Sequence, residues 1–201
     1  IYDLPCVLIR RFTKNRKVFI ISDSDEEGAW QAMEYLYSLG HRRIGLIVDS
    51  REYFCHGRAK GYVKFLKKHG LPLKREWLQK VEGNNPQGLC KSLEKMFGAT
   101  GKPTAIFTYS DYLAINTIKI LRSWGYRIPQ NISIVGYDNT EISKHFHPSL
   151  TTVEIPIEKM IFQAVDLLLK ILKGEKPKSR LWKFSNELII RESTSRVNSN
   201  L

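Results

Sequence analysis

Short apolar segments alternate with longer amphipathic segments along almost the whole chain. The apolar runs VFIIS at 18–22, IGLIV at 44–48 and ISIVGYD at 132–138 are each followed by a polar stretch. Continuous apolar runs of this length are typical of buried strands, and apolar residues spaced three or four apart are typical of helices. Strands that alternate with helices predict right-handed crossovers and a parallel sheet covered on both faces. We therefore predict an α/β fold with a parallel sheet flanked by helices.

The same periodicity predicts the remaining elements. Gly40 is a plausible end for the first helix, and the basic triplet His41–Arg42–Arg43 after it is expected to form a solvated turn. Helices are predicted at 26–40, 56–70, 86–98, 111–125 and 157–173, and further strands at 78–82, 104–109, 150–155, 180–184 and 187–193.

The composition limits the class of protein. With 42% hydrophobic residues in 201, the chain can bury a core, and no run approaches the roughly 20 apolar residues of a membrane span. Cys6, Cys55 and Cys90 are widely spaced and lack metal-binding spacing. They predict reduced, mostly buried thiols in a cytoplasmic protein. The lack of a long apolar run leads us to expect no membrane contact.

The formal charge of +12 has two interpretations. A strongly basic chain favours contact with polyanions, of which nucleic acid is the commonest. The basic residues are spread along the sequence, however, and no helix-turn-helix or zinc-finger pattern is present. A solvated, lysine-rich surface is therefore an equally good explanation.

Polar segments follow the predicted strands. In parallel α/β sheets, ligands bind beyond the carboxyl ends of the strands, in the loops that enter the helices. These loops fall at 22–25, 49–58, 83–86, 108–111 and 137–141. They contain hydroxyls, amides, carboxylates and an arginine, which suit a polyhydroxylated or zwitterionic small molecule. Asp25, in the first of them, is a candidate ligand contact.

The stretch YDNTEISKHFHP at 137–148 could indicate a metal or catalytic centre. His145 and His147 would share one face of an extended segment and could bind a metal with Asp138 or Glu141. No second cluster completes a coordination shell, and the chain lacks a G-x-S-x-G nucleophile elbow, a P-loop and a G-x-G-x-x-G motif. We expect no catalytic residue, metal or cofactor. An enzyme acting through Asp138 and His145 is kept as an alternative.

Four blocks resemble one family in order and spacing. They are GAWQAMEYLYSLGHRRIGLI at 28–47, GRAKGYVKFLKKHGL at 57–71, the long block 103–160 with its PSLTTV segment, and ELIIREST at 187–194. Together they resemble the LacI/GalR transcription regulators over residues 1–194. Each block alone is weak, and the ordered set carries the resemblance.

The resemblance implies a two-lobed, periplasmic-binding-protein-like I core that binds a small effector, a sugar or a purine, in a cleft between the lobes. It implies that residues 1–22 and 154–185 belong to a partial first lobe. Residues 23–153 and 186–194 would form a nearly complete second lobe, followed by a tail at 195–201. It also implies a homodimer that binds DNA through a headpiece outside this chain. An exported sugar-binding protein of a transport system is the rival interpretation.

Residue by residue, Arg58 matches the family arginine that contacts the effector, and Asp138 matches an effector-binding aspartate. Ser110 stands where the family commonly has asparagine, so its ligand contact is a weaker expectation. Asn85 stands where some members place a stacking aromatic residue. Asp111 matches the acid expected to cap a helix and form a turn.

The resemblance also predicts subunit contacts for Ile115 and Phe146, with ordinary core packing as the alternative. It further leads us to expect a truncated or processed chain whose helix at 157–173 has lost part of its packing partner. Such a chain would bind effector weakly or not at all.

Overall fold

The computed structural model of the chain describes residues 4–50, 55–83, 85–98 and 100–197. These residues contain six α-helices: α1 Asp25–Ser38, α2 Cys55–Lys68, α3 Pro86–Gly98, α4 Asp111–Ser123, α5 Glu141–His145 and α6 Ile157–Leu172. They also contain the strands β1 Val7–Ile9, β2 Phe19–Asp23, β3 Ile44–Asp49, β4 Leu78–Val81, β5 Ala105–Thr108, β6 Ser133–Asp138, β7 Thr151–Glu154, β8 Leu181–Phe184 and β9 Glu187–Ile189, and a 3₁₀ turn at Arg75–Trp77.

The chain divides into two compact units. The small unit, Ile1–Ser24 and Ile155–Asn186, contains a parallel sheet in the order β1-β2-β8. The large unit, Asp25–Glu154 and Glu187–Leu201, contains a six-stranded sheet in the order β4-β3-β5-β6-β7-β9. That sheet is parallel except for β9, which pairs antiparallel with β7 at the edge. The predicted α/β architecture with parallel sheets is confirmed.

The large unit has a helical layer on each face of its sheet. All six residues of β3 and all four of β5 are buried, as expected for central parallel strands. Helices α3 and α4 contribute to one core cluster with Ile47, Ile106 and Ile134 from the sheet. Helices α1 and α2 pack so closely that a Cβ at Gly61 would collide with the Glu26 carbonyl oxygen. Glycine at this position therefore allows the close approach.

The strands and helices predicted from periodicity are all present, with ends shifted by a few residues. Strand β1 was not predicted, because three half-buried residues give too short a pattern to read. None of the helices in the described residues is both long enough and apolar enough to cross a membrane.

The prediction of mostly buried thiols is wrong for Cys6, which is exposed. Cys90 is half-buried, and the side chain of Cys55 lies outside the described residues.

The prediction of a solvated turn at His41–Arg42–Arg43 is wrong for His41, which is 2% exposed. Its Nδ1 lies 2.9 Å from the Thr104 hydroxyl, and its Nε2 lies 3.0 Å from both the Ser133 hydroxyl and the Ser195 carbonyl oxygen. A carbonyl can only accept, so the proton sits on Nε2 and Nδ1 accepts from Thr104. The imidazole therefore ties the segment after β9 to the amino ends of β5 and β6.

Burial is the main cause that lowers the pKa of His41 from its ordinary 6.5. The unfolded chain then binds a proton more readily than the folded chain. The stabilisation is intact above about pH 6.5 and is lost as the pH falls below it. We expect the free energy of unfolding, measured with urea, to fall between pH 7.5 and 5, and to fall less in His41→Gln. An equal pH dependence in both proteins would contradict this role.

Candidate functional site

The carboxyl edge of the six-stranded sheet has the topology of a ligand site. The chain passes from β3 to β4 on one side and then crosses to β5 on the other side of β3. In open α/β sheets, ligands bind beside such a switch point, beyond the carboxyl ends of the strands. Here these ends supply Asp49 from β3, Tyr109 directly after β5 and Asp138 from β6. These side chains define the candidate site.

Arg58, in the first turns of α2, lies at the centre of this edge. Its side chain is 3% exposed, and its Nε donates to Asp25 Oδ1 at 2.9 Å. One Nη donates to the Tyr109 carbonyl oxygen, and the other lies 3.4 Å from Asp138 Oδ1. The guanidinium carbon lies 3.6 Å from the centre of the Tyr137 ring. Two predicted site residues, Asp25 and Asp138, are thus both brought against a third, Arg58.

The charges around Arg58 keep it protonated. Burial alone would lower its pKa, but the nearby Asp138, Tyr137 and Asp25 more than offset burial and raise the pKa above its ordinary value. A buried guanidinium between two carboxylates is stable because each charge has a partner. Asp138 is the more exposed of its two carboxylate partners, with 32% of its side chain accessible against 14% for Asp25.

Asp138 and Asn139 have left-handed backbone conformations, with φ of 104° and 51°. Such angles cost on the order of 1–3 kcal/mol each for residues other than glycine, and they cluster at functional sites. The surrounding contacts hold them in place: Arg191 donates to Asn139 Oδ1 at 2.5 Å, and Asn139 Nδ2 donates to Glu154 at 2.8 Å. The backbone therefore fixes the direction in which the Asp138 carboxylate points.

Ser110 and Asp111 shape the same edge at the start of α4. The Ser110 hydroxyl accepts from the Leu113 N–H at 3.3 Å as the helix N-cap. Asp111, fully buried, accepts from the Thr140 N–H at 2.7 Å, the Thr140 hydroxyl at 2.9 Å and the Thr152 hydroxyl at 2.5 Å. Burial raises the pKa of Asp111, and the hydrogen bonds from these threonines oppose the rise. Asp111 thus anchors the loop that follows Asp138.

The edge contains a second buried carboxylate that the sequence did not single out. Asp49 is 3% exposed and accepts from the Tyr109 hydroxyl at 3.2 Å. The position of Asp49 as the last residue of β3, next to the switch point, is the sequence signal that could have identified it. Tyr137 and Arg191 were also missed, because an aromatic residue inside an apolar strand and a cation near the end of the chain read as ordinary.

The two histidines of the stretch 137–148 each lie beside an exposed glutamate. His145 Nε2 lies 3.0 Å from Glu141 Oε1 on the exposed surface of α5, and His147 lies 4.0 Å from Glu192. Hydrogen bonds from Lys144 and His145 lower the pKa of Glu141. In the described part of the chain, no group of three or more His, Cys, Asp or Glu side chains is placed to hold a metal ion.

Three other predicted residues have structural contacts. Asn85 Oδ1 accepts from the Gly88 N–H at 3.0 Å, at the start of α3. Ile115 is 4% exposed in the core cluster, and Phe146 is partly buried against the same cluster. This core packing is the alternative that the sequence left open, and the subunit contact stays a prediction.

The chain is similar in sequence to a known domain family and to bacterial repressors. Residues 33–194 match the family described as the periplasmic binding protein-like domain. The chain is 32% identical over 197 residues to the HTH-type transcriptional repressor PurR of Aliivibrio salmonicida, covering 97% of this chain and 59% of that protein. It is 30% identical over 191 residues to the repressor CytR of Escherichia coli K12, covering 94% and 56%.

Solved structures agree. A regulatory protein of the LacI family from Chloroflexus aggregans superposes with a TM-score of 0.86 at 26% identity, covering 95% of this chain and 69% of that one. A sugar-binding transcriptional regulator of the LacI family from Escherichia coli, complexed with phosphate, gives 0.85 at 25% identity, covering 96% and 69%.

The chain spans less than three-fifths of the length of the repressors it matches. The match to the family nevertheless extends over most of the chain and includes every strand of the six-stranded sheet. The chain therefore belongs to the periplasmic binding protein-like domain family, and its fold is similar to that of solved LacI-family regulators.

Proposed function

We propose that this chain is the effector-sensing core of a LacI-type transcription repressor and that it binds a small polyhydroxylated effector, a sugar. The observation that carries the proposal is Asp138. Its carboxylate is partly exposed, lies at the carboxyl edge of the sheet and stands on a strained backbone that the surrounding contacts hold.

The chemistry of this arrangement suits vicinal hydroxyl groups. A carboxylate has about four acceptor positions and can accept from two hydroxyls at once. Arg58 lies beside Asp138, and the ion pair orients the carboxylate. A fixed acceptor binds with less loss of conformational freedom than a mobile one. We assign Asp138 the direct contact and Arg58 the orienting role.

Asp25 and Ser110, also predicted as ligand contacts, have supporting roles in this proposal. Asp25 forms an ion pair with Arg58 through Nε and so helps to balance its charge. Ser110 caps α4 and so positions the neighbouring Asp111. A ligand contact by either would add to these roles.

Relatives support the regulatory part of the proposal. The named sequence relatives are transcriptional repressors, and one solved neighbour is a sugar-binding regulator. For this chain we propose that the small and large units are the first and second lobes, and that effector binding shifts a population of conformations rather than driving catalysis. We further propose that the full-length protein contacts DNA through a separate headpiece and is cytoplasmic. It would form a homodimer with Ile115 and Phe146 at the subunit interface.

A thermal-shift measurement with a panel of sugars and purines tests the effector site. A binding sugar stabilises the folded chain and raises the Tm, by an amount that grows with the logarithm of its concentration above the Kd. We expect Asp138→Ala to lose about 2 kcal/mol or more of binding free energy, since the hydroxyls lose a charged acceptor. Glu141→Gln, an exposed acid three residues away, is the matched control and should bind normally. Unchanged binding by Asp138→Ala would show that the site is wrongly assigned.

A further inference from the structure

The amino edge of the three-stranded sheet in the small unit is strongly basic. Two segments lie there, 13–18 before β2 and 173–180 between α6 and β8, and we call them together the basic edge. They contain seven lysine and arginine residues and one acid, Glu175. The small unit as a whole has twelve basic and five acidic residues. Folding therefore concentrates charge that looked evenly spread along the sequence.

Arg180 joins the two segments into one surface. Its Nη2 donates to the carbonyl oxygens of Thr13 at 2.7 Å and Asn15 at 2.8 Å, and its Nε donates to Val18 at 3.0 Å. Its own carbonyl accepts from the Ile20 N–H at 2.8 Å. Residues more than 160 positions apart in sequence are thus held side by side.

The backbone of the first segment is fixed as a turn. Asn15 Oδ1 accepts from the Lys17 N–H at 3.0 Å, and Thr13 Oγ1 accepts from the Asn15 N–H at 3.1 Å. A backbone bond from Val18 to Asn15 at 3.3 Å closes the turn. Side-chain bonds of this kind stabilise a turn without other secondary structure. The basic side chains therefore project from an ordered backbone and not from a loose tail.

Topology places all of this charge at one edge. Strands β1, β2 and β8 are parallel, so the residues that precede β2 and β8 meet at their amino ends. The segment 173–180 leads directly into β8 and therefore ends at the same edge as the segment 13–18. Lys14, Arg16, Lys176 and Lys178 are exposed there.

We propose that the basic edge contacts the phosphate backbone of duplex DNA. The choice of DNA as the partner rests on the proposed function, because a transcription repressor is bound to DNA. Long, exposed lysine and arginine side chains neutralise phosphates and add affinity that does not depend on base sequence. The basic edge would thus supplement whichever domain reads the operator.

A salt titration of duplex binding tests the proposal. The chain is titrated into a short, fluorescently labelled random-sequence duplex, and anisotropy is measured between about 50 and 200 mM KCl. Four phosphate contacts predict a slope of about −3 to −4 for log Kobs against log[KCl], at about −0.9 per contact. The variant Lys14→Gln, Arg16→Gln, Lys176→Gln, Lys178→Gln should flatten the slope to near zero and weaken binding about tenfold or more at low salt.

The matched control removes four exposed lysines from the large unit: Lys67→Gln, Lys91→Gln, Lys95→Gln, Lys119→Gln. Both variants have the same net charge, so the control should keep most of the affinity and slope. Equal weakening by both, or no duplex binding by the parent chain, overturns the proposal, as does tighter binding to anionic vesicles or single-stranded RNA. Thermal shift with the sugar panel on the same samples reports the proposed function separately, since the basic-edge variant leaves Asp138 intact.

Discussion

Replacing Arg58 by alanine should lower the free energy of unfolding by about 3 kcal/mol, the largest effect we expect from a single change at the site. The substitution removes the guanidinium from between Asp25 and Asp138 and leaves both carboxylates without their central partner. It also removes the donor to the Tyr109 carbonyl and the cation packed on the Tyr137 ring. Urea unfolding monitored by circular dichroism measures the loss.

Two further variants test whether the loss of stability comes from the ion pairs of Arg58. Arg42, whose guanidinium lies 3.5 Å from the Tyr37 ring centre on an exposed surface, is the control, and Arg42→Ala should cost less than about 1 kcal/mol. Asp25→Asn in the Arg58→Ala background should cost less than in the parent, because the pair is already broken. If the losses of unfolding free energy from Arg58→Ala and Asp25→Asn were additive, the proposed pairing would be contradicted.

Replacing Asp111 by alanine should cost a comparable amount, about 3 kcal/mol. The buried carboxylate accepts three hydrogen bonds from Thr140 and Thr152, and alanine leaves these donors unsatisfied. The loop after β6 would lose its anchor, so effector affinity should fall together with stability. Chemical unfolding and the thermal-shift assay give the two readouts.

Asp111→Asn distinguishes an acceptor from a charge. The amide keeps one acceptor oxygen but turns a donor toward the threonine hydroxyls, so its cost should lie between those of the parent and the alanine variant. The raised pKa of Asp111 means that the folded chain binds this proton more readily than the unfolded chain. The part of the stability that comes from binding this proton is therefore fully present below the ordinary pKa of 3.8 and is lost as the pH rises through the folded pKa. A stability curve of Asp111→Asn with the same pH dependence as the parent would contradict this description.

The sequence was most informative where function follows from local position. The location of Asp138 and Arg58 at the carboxyl edge could be predicted, because a strand end and a helix start lie there in any parallel sheet; their contact with an effector stays a prediction. The pairing of Arg58 with Asp25 and Asp138 could not be predicted, because it depends on the strand order β4-β3-β5-β6 and on the close packing of α1 against α2.

Other features depend on contacts between distant segments. The sequence predicted His41 to lie in a solvated basic turn. It is instead buried and hydrogen-bonded to the carbonyl oxygen of Ser195, a residue 154 positions away that local sequence cannot reveal. The basic edge was invisible for the same reason, since Arg180 joins segments that lie far apart in the sequence. The left-handed backbone of Asp138 had no sequence signal either, because that conformation is ordinarily associated with glycine.

The central claim is that a small polyhydroxylated effector binds at the carboxyl edge of the six-stranded sheet through Asp138. A ¹⁵N–¹H chemical-shift titration of the chain with millimolar sugars tests it most directly, because it detects weak binding and locates it. We expect the amides of residues 138–140 and 109–111 to shift in a saturable way with a binding sugar, and these shifts to disappear in Asp138→Ala. Shifts confined to other parts of the chain, or identical shifts in Asp138→Ala, would contradict the claim.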